Sequence, residues 1–236
     1  MIADTAYLVD FDGTILTRDI SFELASTLGG EAFKEINYQY RQKIMPIKTW
    51  LQRTAELLPD NLDILLSQAF EWVEIRPGFE HFLEHAREYN RPVVVASDGY
   101  GFYIEPILKH FGLLEQIDTI YRNDTFLNRG GSLEVRNPHA HHVCPVCGNC
   151  KAKHVVRLKE KGFSVIYIGD GSNDRFGAFW GDHVCARDRL AELCEEKGFP
   201  YSQWNDFYDI IKVEKPEMQD RSEISLCCPR GSGIKT

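Results

Sequence analysis

The 236-residue chain carries 27 Lys plus Arg against 35 Asp plus Glu, a formal net charge of −8, with 43% hydrophobic and 26% charged residues. That balance excludes a wholly disordered chain, and the acidic excess argues against a nucleic-acid or anionic-membrane partner, whose affinity is built from clustered Lys and Arg. No run approaches the roughly 18 apolar residues of a membrane span and residues 1–9 lack a signal-peptide pattern, so a cytoplasmic protein is expected, without a disulfide framework.

Residues 6–9 form a short apolar run ending in Asp10 and, soon after, Gly13, which predicts a buried strand running into a polar loop. From about 20 to 75 the apolar residues fall at helical spacings with no strand among them, predicting an inserted bundle of about four helices, punctuated by Pro46 and Pro59. A helix over 78–89 leads to a second buried strand at 92–96, which ends in Ser97-Asp98-Gly99, and a helix over 102–111 follows. Residues 117–136 read as short strands with turns at Asn123-Asp124 and Gly130-Gly131, a hairpin excursion. After a cysteine-rich loop, Lys151 opens a helix over 152–161, and the strand at 164–168 ends in Gly169-Asp170-Gly171-Ser172-Asn173-Asp174. Alternating strands and helices predict an α/β fold, a Rossmann-like three-layer core with a parallel sheet and ligands beyond its carboxyl ends. The expected organisation is a core of 1–18 and 76–213, a helical cap of 19–75 and a flexible tail of 214–236.

Chemistry collects at the strand ends. The carboxylates of Asp10 and Asp12 can hold a hard divalent cation. Ser97 and the backbone amides of the turn containing Asp98 can bind a phosphoryl oxygen, although the Asp98 carboxylate either repels an anion or points away. Lys151 adds a mobile positive charge, and Asp170 and Asp174 add two more carboxylates.

In this order these residues resemble the haloacid dehalogenase superfamily of phosphohydrolases, whose motifs match Asp10-x-Asp12-Gly13-Thr14, Ser97, Lys151 and Gly169-Asp170-x-x-x-Asp174. The helical insert is similar to the cap of the phosphoserine-phosphatase-like branch. The resemblance implies that Asp10 is a nucleophile forming an aspartyl-phosphate and Asp12 a general acid and base. It further implies that Asp10, the Asp12 carbonyl, Asp170 and Asp174 serve Mg²⁺, while Ser97 and Lys151 bind phosphate. Pro46-Ile47-Lys48, Leu57-Leu58-Pro59, the 75–79 junction, the cysteine cluster and Cys185-Ala186-Arg187-Asp188 are similar to the methionine-salvage phosphatases, implying 2-hydroxy-3-keto-5-methylthiopentenyl 1-phosphate as substrate. Phosphoethanolamine, phosphocholine and phosphoserine phosphatases are the alternatives. Asp19, Phe22, Arg53 and Tyr100 are the candidate substrate contacts.

His142, Cys144, Cys147 and Cys150 either bind a structural Zn²⁺ or remain thiols, including a redox-sensitive pair; four ligands so close in sequence strain a tetrahedron. A non-catalytic, metal-binding regulatory protein and a phosphotransferase are the readings from other classes. The expected partner is a small phosphate ester, with no nucleic acid and no membrane, and the chain is expected to be a monomer or homodimer.

Overall fold

The computed structural model of the protein describes residues 4–142 and 144–213; the tail expected at 214–236, with Cys227 and Cys228, lies outside the described residues. The chain opens with β1 (Thr5–Val9) and passes through a tight loop, Phe11–Ile15, into α1 (Ile20–Leu28), α2 (Gly30–Arg41), α3 (Ile47–Ala55) and α4 (Leu62–Phe70). It returns through α5 (Phe79–Glu88), β2 (Val93–Ala96), α6 (Gly101–His110), β3 (Thr119–Tyr121), β4 (Asp124–Leu127) and β5 (Leu133–Arg136). The last stretch is α7 (Lys151–Glu160), β6 (Ser164–Gly169), α8 (Arg175–Ala178), β7 (His183–Ala186), α9 (Asp188–Glu196), β8 (Ser202–Gln203) and α10 (Phe207–Ile211).

Six strands form one parallel sheet in the order β3-β2-β1-β6-β7-β8. Period-two alternation divides its side chains between two apolar layers. Tyr7, Val9, Val93, Val95, Ile166 and Ile168 pack with α5, α6 and α10, whereas Ala6, Leu8, Val94, Ala96, Val165 and Tyr167 pack with α7 and α9. Val9 lies opposite both Val95 and Ile168, and this register brings Asp10, Ser97 and Asp170 out together at the carboxyl edge.

The helices α1 to α4 share the first apolar layer through Leu24, Phe33, Trp50, Leu51 and Leu65. The two segments joining them to the sheet pair with each other, Thr17 N–H donating to the Glu74 carbonyl at 3.0 Å and Arg76 N–H to the Ile15 carbonyl at 2.8 Å. Asp19 starts α1 by accepting the Phe22 N–H at 2.9 Å, and Asn61 caps α4 in the same way.

The excursion is smaller than its sequence suggests. β3 joins the main sheet beside β2, so only β4 and β5 form a hairpin, turning where Gly131 takes a left-handed φ of 84°. β7 and β8 extend the sheet beyond the three strands read from sequence: β8 is two residues long, and β7 carries a histidine and a cysteine that dilute its apolar signature. Among the described residues no helix is long and apolar enough to cross a membrane.

Candidate active site

The loop after β1 is shaped by Gly13 and Arg76. Gly13 adopts φ 75°, and a Cβ there would run into the Asp170 carboxylate. The buried Arg76 guanidinium donates to the carbonyls of Thr14 at 2.8 Å, Gly13 at 2.5 Å and Leu16 at 3.3 Å, satisfying loop carbonyls that no strand partner reaches.

Lys151, the first residue of α7, is buried and reaches Asp10 and Asp174, each at 2.6 Å. Asp174 also accepts the Tyr167 hydroxyl at 2.6 Å and the amides of Asp170 at 3.0 Å and Gly171 at 2.7 Å, so both its oxygens are engaged. Asp170 accepts Thr14 Oγ1 at 2.6 Å. Burial and then Asp174 push the Asp10 carboxyl well above the usual carboxylate range against the pull of Lys151. Burial, followed by Asp174, raises Asp170 to about 7. Burial alone would lower the Lys151 ammonium, and Asp10 and Asp174 outweigh it, holding the group above its ordinary value. One ammonium against three carboxylates, Asp10 and Asp174 buried and Asp170 half-buried, leaves a deficit of positive charge. Oxygen atoms of Asp10, Asp170 and Asp174 lie within 4.8 Å of one another, a hard-donor set that fits Mg²⁺.

Asp12 is held on the other side of the loop. Its Oδ1 accepts the Ile20 N–H at 3.0 Å; its Oδ2 accepts the Tyr103 hydroxyl at 2.6 Å and Ser97 Oγ at 3.3 Å. Burial, with Asp19 second, raises its pKa to about 8. Ser97 Oγ also accepts the Gly99 N–H at 2.9 Å, and a Cβ on Gly99 would collide with both the Asp12 carboxylate and the Tyr103 hydroxyl.

Asn149 organises the loop ahead of Lys151. Its side-chain amide donates to the carbonyls of Ser97 at 3.0 Å and Tyr121 at 2.7 Å, its backbone N–H to Asp98 Oδ1 at 2.8 Å, and its Oδ1 meets His154 Nε2 at 2.6 Å. The Asp98 carboxylate therefore anchors this loop, while Asp98 also lines the pocket beside Ser97 and Lys151.

A pocket of about 100 Å³ lies between these groups and α3, lined by Asp10, Asp12, Asp19, Lys151 and Asp170 on the sheet side and by Ile47, Trp50 and Leu51 opposite. Three expected substrate contacts lie elsewhere. Phe22 is 39% exposed with its ring edge on Phe33, and exposed Arg53 donates to Gln39 Oε1 at 3.3 Å. Tyr100 is fully buried, its hydroxyl 2.6 Å from Thr54 Oγ1, tying α3 to the core. Asp19 does line the pocket. The structure gathers no metal-ligand set at His142, Cys144, Cys147 and Cys150: among the described residues Asp10, Asp170 and Asp174 are the group that could hold a metal ion. Cys144 is half-buried, and Cys147 and Cys150 are buried.

Sequence reasoning missed Ser21, Tyr103, Tyr167, Asn149 and the pocket role of Trp50. Ser21 Oγ lies 2.9 Å from the Tyr103 hydroxyl and accepts the Tyr100 N–H at 3.0 Å. A polar residue inside an apolar helical face, as at Ser21 in α1, was the available signal.

The family model described as Putative Phosphatase matches residues 5–199. A 2-hydroxy-3-keto-5-methylthiopentenyl-1-phosphate phosphatase of Exiguobacterium sibiricum is 32% identical over 215 residues, covering 86% of this chain and 93% of that protein. A protein of the same name from Bacillus cereus is 30% identical over 203 residues, covering 85% of this chain and 91% of its own. The fold is similar to a phospho-aspartyl intermediate analogue of phosphoserine phosphatase, with TM-score 0.67, 20% identity and coverage of 90% of this chain and 100% of that one. It is similar too to a HAD family hydrolase from Salmonella enterica serovar Typhi, with TM-score 0.69, 17% identity and coverage of 91% and 74%.

Proposed function

The chain belongs to the Putative Phosphatase family of haloacid dehalogenase-like phosphatases, and from that premise we propose a Mg²⁺-dependent phosphomonoesterase that works through Asp10 on a small metabolite. The observation that carries this reading is the buried Asp10–Lys151–Asp174 chain beside Asp170, facing a protonatable Asp12 across one pocket. Asp10 and Asp170, beside the engaged Asp174, are the groups that would hold Mg²⁺. The bound ion would supply positive charge against the phosphoryl oxygens.

Lys151 occupies Asp10 Oδ1 and leaves Oδ2 to attack phosphorus. The Asp10–phosphorus bond forms as the ester P–O bond breaks, and Asp12, protonated near neutrality, passes its proton to the leaving oxygen. The Tyr103 and Ile20 donors then stabilise the Asp12 carboxylate left behind. That carboxylate takes a proton from the water that releases phosphate from Asp10. Residues 19–75 act as the cap that closes over the site.

The favoured substrate is 2-hydroxy-3-keto-5-methylthiopentenyl 1-phosphate. Support comes from the names of the relatives at about 30% identity and from the apolar wall of Ile47, Trp50 and Leu51, which suits a thioether tail. With Arg53 turned to Gln39, the cap presents no arginine to the carboxylate of phosphoserine. One observation favours a second reading, phosphoethanolamine or phosphocholine: the Asp19 carboxylate lines the pocket, where it would meet a cationic head. The test is Mg²⁺-dependent phosphate release from all four esters, with Asp10→Asn as control. A dominant kcat/KM for the methylthiopentenyl ester supports the first reading and one for a cationic ester the second. Release by Asp10→Asn at the wild-type rate would overturn the nucleophile assignment.

A further inference from the structure

Helix α1 reaches both oxygens of the Asp12 carboxylate. Oδ1 accepts the N–H of Ile20, the first residue of that helix, at 3.0 Å. Oδ2 accepts the Tyr103 hydroxyl at 2.6 Å, and Tyr103 in turn meets Ser21 Oγ, the next residue of α1, at 2.9 Å. Counting donors gives this file of hydroxyls a direction. A phenol has one hydrogen, and Tyr103 gives it to Asp12. Ser21 therefore donates its own hydrogen to the Tyr103 oxygen and accepts the Tyr100 N–H at 3.0 Å. Ser21 and Tyr103 are both buried, which shields the file from bulk water.

Ser97 completes the set: its Oγ accepts the Gly99 N–H, and its hydrogen goes to Asp12 Oδ2. A carboxylate offers about four lone-pair positions. Here one on Oδ1 and two on Oδ2 are taken, so the position no protein donor fills belongs to Oδ1.

We propose that Ser21 is a positioning residue for leaving-group protonation: by donating to Tyr103 it keeps that hydroxyl aimed at Asp12 Oδ2 and so holds the proton that Asp12 delivers on Oδ1. The inference deepens the phosphatase reading and rests on it. In the step itself the O–H bond at Asp12 Oδ1 breaks as the ester oxygen takes the proton. The bond from that oxygen to phosphorus breaks while Asp10 Oδ2 forms the new one. The alcohol leaves neutral, and the negative charge is left on Asp12, whose Oδ2 already faces two donors. Without the Ser21 hydroxyl the Tyr103 oxygen is free to accept. Asp12 can then place its proton on Oδ2 against Tyr103, where the ester cannot take it. Ser21 also lines the pocket, but its hydrogen and a lone pair are committed to Tyr103 and Tyr100, so it acts through Asp12 and not by holding substrate.

The test compares wild type, Ser21→Ala, Tyr103→Phe and the double variant on two phosphates in Mg²⁺. One is the best alkyl ester of the panel, whose leaving oxygen must be protonated; the other is acetyl phosphate, whose acetate leaves without a proton. The comparison uses kcat/KM, which covers the steps up to departure of the leaving group, before Asp12 acts on water. Ser21→Ala should lower kcat/KM for the alkyl ester by about 10-fold and for acetyl phosphate by less than about 2-fold. The double variant should lose no more on the alkyl ester than Tyr103→Phe alone, because Ser21 works through Tyr103. Equal losses on both phosphates, a loss confined to KM, unchanged turnover by Ser21→Ala, or losses that multiply in the double variant would each overturn the proposal. The double variant needs the alkyl ester alone, so it decides the matter even where acetyl phosphate is not turned over. A wild type that hydrolyses neither compound overturns the phosphatase reading and this one with it, whereas an active wild type with unselective variants overturns this one alone.

Discussion

His154 offers a quantitative test of how the Lys151 loop is held. Its ring is fully buried, stacks on Tyr121 at 3.7 Å and 4°, and meets Asn149 Oδ1 through Nε2, while Nδ1 is buried with no hydrogen-bond partner. Because the Asn149 oxygen can only accept, the ring is the neutral Nε2–H tautomer, and a second proton would place an unpaired charge in the interior. Burial, aided by His139 and nearby Arg157, depresses its pKa from 6.5 to about 2. Below its ordinary pKa the unfolded chain binds a proton here that the folded chain does not. Stability is therefore full above about pH 6.5 and is lost as pH falls towards about 2. At about 1.36 kcal/mol per pH unit, lowering pH from about 7.5 to about 5.5 removes about 1.4 kcal/mol through this one residue. That corresponds to about 3–6 °C in Tm for a protein of this size. His154→Gln keeps a donor for Asn149 and cannot titrate, so other groups cancel when the two proteins are compared by thermal unfolding in EDTA. The gap between wild type and variant should change by that amount across the interval. A gap that is constant with pH would refute the account of a neutral, unprotonatable ring.

Mg²⁺ at 100-fold its Kd should raise Tm by about 5–11 °C, from about 2.7 kcal/mol of linkage, and Asp170→Asn should abolish both this shift and turnover; an unchanged shift in the variant would place the ion elsewhere. Tyr103→Phe removes one donor to Asp12 and should lower kcat by about 10-fold to 100-fold with KM little altered, whereas a pure KM effect would assign Tyr103 to substrate binding. Arg53→Ala should change KM by less than about 2-fold for every ester, because its side chain faces Gln39; a large rise for phosphoserine alone would return Arg53 to the pocket.

The parts legible in sequence are those set by short-range pattern. Asp10, Ser97 and Asp170 end apolar runs of strand length, and register in a parallel sheet obliges such ends to converge; Lys151 follows because it opens a helix on the same edge. What pattern could not supply was rotation. Phe22 and Ser21 are adjacent in α1, yet Ser21 reaches Tyr103 while Phe22 turns outward to Phe33, and only the packing of α1 against α2 and α6 decides which faces the pocket. Arg53 and Trp50 in α3 differ in the same way. Helical phase gives one buried face, and Trp50 lies on it both as packing against Phe33 and Tyr40 and as pocket wall.

The cysteine loop was opaque for a different reason. Its ligand-like spacing is a one-dimensional fact, whereas its shape is dictated by Asn149, whose partners come from the turn after β2, from β3 and from α7 and are 52, 28 and 5 residues away. Asn149 bridges the Ser97 and Tyr121 carbonyls, and among the described residues no metal-ligand set gathers around the cysteines. The same bridge sets the entry of α7 and so the height of Lys151 between Asp10 and Asp174. A residue with no chemistry of its own thereby couples the Ser97 turn, Lys151 and the cysteine loop. Asn149→Ala would leave the Ser97 and Tyr121 carbonyls without their amide, and its damage should fall on kcat before it falls on the fold.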